Sequence, residues 1–111
     1  MTKYVPDCGD FVWLTLDPQA GHEQRGRRPA LVLSREPYNS PTKLGLSGSI
    51  TSKEKGYPFE VAIPENLKVS GIVLADQVKN LDWSAREAEF ICKAPQEMVD
   101  EVKDKLLALL G

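Results

Sequence analysis

Apolar residues come in short, closely spaced blocks along most of the chain and settle into a helical period only near its end. DFVWLTL (residues 10–16) is rich in β-branched and aromatic side chains and predicts a strand. The polar stretch DPQAGHEQRGRR (17–28) follows as a long loop broken by Pro18, Gly21 and Gly26. PALVLS (29–34) is almost continuously apolar, as in a strand covered on both faces and central in its sheet. Pro29 fits its first position, where a missing N–H costs least. REPYNSPTKLG (35–45) predicts another turn-rich loop, and LSGSITS (46–52) a strand of small residues. KEKGYP turns into FEVAI (59–63), whose alternation gives a strand with one wet face. GIVLADQVKNL (71–81) begins as a strand, and REAEFICK (86–93) predicts one more.

The last stretch has the helical period. Pro95 suits the first helical position, Met98, Val99, Val102, Leu106 and Leu109 recur at three- and four-residue steps, and Gly111 closes the chain. Glu101 and Lys105 form an i,i+4 pair in the favourable order. Short strands followed by one amphipathic helix predict a mainly β fold, a small curled sheet or barrel with the helix packed on it. Leu107 and Leu110 widen the apolar stripe, which leaves two readings: a second partner for the helix, such as another subunit, or a helix end that is simply well buried.

With 111 residues and no repeats, low-complexity tracts or linkers, residues 1–111 are expected to form one domain. No run approaches the roughly 20 apolar residues of a membrane span, and MTKYVPDCGD lacks the apolar core of a signal peptide. The expectation is a cytoplasmic protein with no membrane partner. Cys8 and Cys92 stand far apart without CxxC spacing, so idle or buried thiols are expected rather than a disulfide. The net charge is −2, yet residues 21–55 sum to +4 and leave −6 for the rest. A basic third on an acidic body fits a localised polyanion site, and equally a pair of solvated loops.

His22 is alone and no carboxylate cluster has ligand spacing, which argues against a zinc or two-metal site. Phosphate-cradling, nucleophile-elbow and dinucleotide patterns are missing as well, so no cofactor is expected. The chemistry that remains lies in GHEQRGRRPALVLS (21–34). Phosphodiester cleavage without a metal requires fixed positive charge against the non-bridging oxygens, and the planar guanidinium grips phosphate bidentately. Arg28 directly precedes the central strand, so its backbone is held while its side chain stays at the rim. Glu23 would accept a proton or orient Arg28; the plain alternative is a surface ion pair worth about 0–1 kcal/mol. Residue chemistry alone leaves both standing. Thr51 and Ser52 with Lys53 and Lys55 offer donors to a phosphate or merely a solvated turn. Trp13, Tyr57 and Phe59 are core residues or platforms for unstacked bases, with core or interface favoured for Trp13.

Three segments in order, YVPDCGDFVWLTLDPQAGHEQRGRRPALVLS, TSKEKGYPFEV and GIVLADQVKNLDW, together resemble the MazF/PemK family of toxins from bacterial toxin–antitoxin pairs. The likeness covers nearly the whole chain. It implies an SH3-like β-barrel of the CcdB/Kid/MazF type with helices, a homodimer, and a metal-independent endoribonuclease that cuts single-stranded RNA at short sequences. Carried over by residue, it implies catalytic roles for Arg28, Glu23 and Thr51. RNA contacts fall to Arg25, Arg27, Lys53, Lys55, Tyr57 and Gln77. The implied partner is an antitoxin whose acidic C-terminal tail lies over the basic groove in a larger toxin–antitoxin complex. The chain departs from relatives that have proline shortly before Thr51, where it has Gly48 and Ser49, and from those with histidine at the position of Arg27. Two other functions remain open: a gyrase-binding toxin resembling CcdB, and a non-cleaving relative that acts only through its partner. Retention of Glu23, Arg28 and Thr51 together favours cleavage.

Overall fold

The computed structural model describes residues 4–15 and 26–111. Its elements run β1 (Asp10–Thr15), β2 (Arg27–Val32), α1 (Glu36–Thr42), β3 (Leu44–Thr51), β4 (Glu60–Ala62), β5 (Ile72–Asp82), β6 (Glu89–Lys93) and α2 (Gln96–Leu110). The six strands make one antiparallel sheet in the order β4-β5-β3-β2-β1-β6, a curled half-barrel carrying two helices. The fold is therefore mainly β with helices, as the pattern of apolar blocks predicts.

The near-continuous apolar runs have a simple cause. Both faces of the sheet's centre are covered, so alternation has no wet side to record. Phe11, Leu31, Leu33, Val61, Val73, Met98 and Val102 form the core beneath α2. Val12, Leu14, Ala30 and Val32 form a second cluster on the opposite face, with Tyr4, Leu81 and Trp83 against it. β2 lies between β3 and β1, hence central as expected. It begins at Arg27, so Pro29 sits inside it, paired with Trp13. The Leu33 N–H points to Leu46 on β3, and alternation turns the Pro29 nitrogen the same way. Pairing with β3 starts only at Ala30, so the missing donor falls where that ladder has not begun.

Residues 35–45, expected to be a loop, contain α1. Its signals are not local. Pro37 stands in the first turn, where its missing N–H is no loss, and Lys43 ends the helix with φ +62°. The N-terminus is capped from a distance: Asp7 Oδ1 accepts the Glu36 N–H at 2.9 Å. That bond, with a second from the Cys8 N–H, holds the Asp7 carboxyl below its ordinary range. Asn39, fully buried, donates to the carbonyls of Pro6 and Ser34 and accepts from the Ser34 hydroxyl. The predicted strand 86–93 is also shortened, because residues 83–88 turn before β6.

α2 buries Met98, Val99 and Val102, with Leu106 packed at the edge. Pro95 occupies the cap position rather than the first turn. Leu107, Leu109 and Leu110 are 63%, 55% and 74% exposed, so the end of this helix is not buried within the chain. The Glu101–Lys105 pair forms at 3.8 Å. No helix among the described residues is long and apolar enough to cross a membrane. Cys8 and Cys92 are free thiols, each half-buried.

Candidate functional site

A shallow groove lies on the face of the second apolar cluster, beside the start of β2. Leu14 and Ala30 line its apolar part, Ser47 and Ser49 contribute hydroxyls, and among the described lining residues Arg28, Lys79 and Arg86 supply three cations and no carboxylate appears. Register explains the assembly. Leu14 pairs with Arg28 and Val12 with Ala30, so Arg28 stands on the face of the second apolar cluster. Ser47 pairs with Val32 on one side and Lys79 on the other, bringing β5 onto the same face. Arg28 is exposed and, among the described residues, its side chain makes no hydrogen bond or ion pair. Arg86 is held by its own bond to the Thr15 carbonyl at 3.0 Å.

β3 leads from this groove into a second. The β2–β3 register, carried two residues beyond the Ala30–Ser49 pair, sets Arg28 level with Thr51. Thr51 lines the second groove together with Lys53, Lys55, Tyr57, Asp76 and Gln77. The Thr51 hydroxyl accepts the Lys53 N–H at 3.2 Å, which leaves its own proton to donate outward. The close of the strand is fixed by Gly71, whose φ is +123°; a Cβ there would lie 2.6 Å from the Thr51 carbonyl oxygen.

Asp76 and Gln77 reach this groove through a break in the ladder. β5 faces Gly48 with Val78, but the next residue, Ser49, with Leu74. Residues 75–77 are thus released from β3, and the Ala75 N–H turns to the Phe59 carbonyl instead. The Gly48–Ser49 step is the site of this irregularity.

Of the sequence-predicted residues, Arg28 lies on the first groove, and Thr51, Lys53, Lys55, Tyr57 and Gln77 lie together on the second. Glu23, Arg25 and His22 fall outside the described residues. Arg27, expected to contact RNA, is bonded within the chain. Its guanidinium donates to Thr15 Oγ1, the Glu87 carbonyl and Glu89 Oε1, each at 3.0 Å, tying β2 to β1 and to the start of β6. Strand alternation is the reason: one residue away from Arg28, it projects from the opposite face. Trp13 is 39% exposed, so it is not a core residue of this chain alone.

Sequence reasoning missed Lys79, Arg86, Ser47, Ser49 and Asp76. Lys79 was obscured because the break at residues 75–77 resets the alternation of β5, and Arg86 because its turn gives no periodic signal. Among the described residues, no three His, Cys, Asp or Glu side chains cluster within reach of one metal ion.

Comparison with known proteins places this geometry. Residues 7–110 match the family described as PemK-like, MazF-like toxin of type II toxin–antitoxin system. The chain is 42% identical over 111 residues to the endoribonuclease toxin MazF of Escherichia coli (strain K12), spanning 100% of this chain and 99% of that one. Among solved structures it is similar to MazF (Form-I) from Deinococcus radiodurans, with TM-score 0.88 and 56% identity over 98% of this chain and 99% of that one. It is also similar to MazE–MazF (Form-II) from the same organism, with TM-score 0.88 and 50% identity over 98% of each chain.

Proposed function

The chain belongs to the PemK-like, MazF-like toxins of type II toxin–antitoxin systems, and from that premise we propose how its grooves cut RNA. It acts as an endoribonuclease toxin on single-stranded RNA. The observation that carries the site assignment is Arg28, exposed and without a hydrogen-bonding or ionic partner among the described residues, on a groove shared with Lys79 and Arg86 and level with Thr51.

The reaction begins at the ribose 2′-hydroxyl. Its proton passes to a base, for which Glu23 is the candidate, as the oxygen forms a bond to the adjacent phosphorus. The P–O5′ bond breaks, the leaving oxygen takes a proton from solvent water, and the products are a 2′,3′-cyclic phosphate and a 5′-hydroxyl. Charge grows on the non-bridging oxygens. Arg28 offsets it as a fixed cation, because a guanidinium is a poor proton donor but a strong electrostatic partner. Thr51 donates its free hydroxyl proton to the phosphate. Lys79 and Arg86 hold the flanking backbone, and Tyr57 and Gln77 face the bases.

Two partners complete the reading. An antitoxin with an acidic C-terminal tail covers the cationic groove and displaces RNA by charge mimicry, in the cytoplasm where both chains are made. A second copy of the chain covers apolar surface, including Trp13 or the exposed leucines of α2.

The test incubates purified protein with long single-stranded RNA in EDTA beside Arg28→Ala, maps the ends by primer extension and labels 5′-hydroxyls with kinase. Discrete cuts sharing a short motif, carrying 5′-hydroxyls and absent with the variant, are expected. Intact RNA across varied sequences would remove the catalytic assignments and leave a binding protein.

A further inference from the structure

We propose that Glu60 is a positioning residue for the RNA-binding loop, an inference that rests on the ribonuclease reading above and adds to it a residue acting on the protein's own backbone. Residues 52–58 between β3 and β4 are all exposed. A segment with so little burial has few contacts to offset the entropy of ordering it. It nevertheless carries Lys53, Lys55 and Tyr57 at the mouth of the second groove.

Hydrogen bonds supply the order. At one end the Lys53 N–H is held by Thr51 Oγ1, and at the other the Glu60 N–H is held by the Tyr57 carbonyl at 3.2 Å. Between them two successive N–H groups converge on one carboxylate. Lys55 donates to both Glu60 oxygens at 3.3 and 3.2 Å, and Gly56 donates to Oε1 at 3.1 Å. Gly56 has φ +80°, the conformation that turns consecutive N–H groups into a concave anion cradle. Bonds to an ionised acceptor are the stronger kind. Lys105 of α2 adds a tether by donating to the Pro58 carbonyl.

The result is a fixed platform. Tyr57 stacks on Phe59 with ring centroids 5.2 Å apart and planes 16° from parallel, and it leaves 52% of its surface exposed. A flat ring held in place accepts an unstacked base, and the lysines beside it meet the backbone. Electrostatics alone gives Glu60 the opposite role, since a carboxylate in an RNA groove repels phosphate. The two roles predict opposite signs, which makes the inference testable.

Arg28 and Thr51 stand on strands that do not depend on the cradle. Loss of Glu60 therefore raises the cost of ordering the loop at the moment of RNA binding and leaves the chemical step in place. The experiment measures steady-state cleavage of a single-stranded oligoribonucleotide containing a mapped cut site, using wild type, Glu60→Ala and Glu60→Gln. Amide exchange at Lys55 and Gly56 is followed alongside. Glu60→Ala is expected to raise KM by about 5-fold or more with kcat within about 2-fold, whereas Glu60→Gln, which keeps an acceptor oxygen, stays within about 3-fold of wild-type KM. Exchange at the two amides accelerates in Glu60→Ala while core amides are unchanged. A KM that stays or falls in Glu60→Ala, a loss confined to kcat, or a Glu60→Gln as impaired as Glu60→Ala overturns the proposal. RNA left intact by the wild-type protein removes the ribonuclease reading and this one with it, so the two failures are told apart by the wild type.

Discussion

Arg27 and Arg28 are neighbours in sequence and face opposite sides of the sheet, the first bound to Thr15, Glu87 and Glu89, the second open to the groove. Two similar substitutions should accordingly give dissimilar variants. Arg28→Ala is expected to lower kcat for RNA cleavage by about 100- to 1000-fold, the loss typical of one preorganised charge-stabilising donor, with an unchanged urea midpoint. Arg27→Ala should keep kcat within about 3-fold and lose about 1–3 kcal/mol of stability, most of it from the bonds to Thr15 and the Glu87 carbonyl, because Glu89 is largely solvent-screened. Urea unfolding and single-turnover cleavage of both variants decide the matter.

Lys79 is assigned to backbone binding rather than chemistry. Lys79→Ala should weaken RNA binding several-fold and flatten the dependence of log K on log salt by about 0.7, the value for one phosphate contact on a single strand. Cleavage titrations at stepped potassium chloride read the slope; an unchanged slope would place Lys79 outside the RNA path.

Gly71 is expected to tolerate no side chain. Gly71→Ala sets a Cβ against the Thr51 carbonyl and forces an alanine to a φ of +123°. A stability loss of about 2 kcal/mol or more is expected from strain of this kind, together with reduced cleavage because Thr51 shifts. Thermal unfolding and kcat should move together, unlike in Arg28→Ala.

Tyr4 provides a test in alkali. Burial, then the 2.6 Å bond that its hydroxyl donates to Asp10, and then the charges of Asp10 and Asp7 raise its pKa well above the ordinary tyrosine value. Above about pH 10 the unfolded chain gives up this proton while the folded chain keeps it, so stability falls as pH rises. The contribution is complete below that pH and disappears through the raised folded value. The comparison is with Tyr4→Phe. That variant should be about 1 kcal/mol less stable at neutral pH for loss of the hydrogen bond, yet show a shallower decline between pH 10 and 11 in urea melts.

The strands were legible because burial on one or both faces writes itself into periodicity. PALVLS and FEVAI are the clearest cases, and Met98, Val99 and Val102 announce α2 in the same way. α1 was illegible because its cap comes from Asp7 and its anchor is the buried Asn39, neither of which leaves a trace in a run of prolines and small polar residues. Arg28 and Thr51 were found through the likeness of their blocks to a family. Lys79 and Arg86 were not, since only the folded register carries them to Arg28. Arg27 shows the limit of counting charges: three arginines in four residues looked like one cationic surface, and strand geometry parts Arg27 from Arg28.

The break in β5 has a consequence for descent. Residues 75–77 are exempt from the β3 ladder, so a lineage can exchange Asp76 or Gln77 without surrendering a bond to β3, while neighbours such as Val73 and Val78 stay under the discipline of packing. Change at these two exposed positions is thereby separated from survival of the sheet, whereas Ala75, fully buried in the core, is held with its packed neighbours.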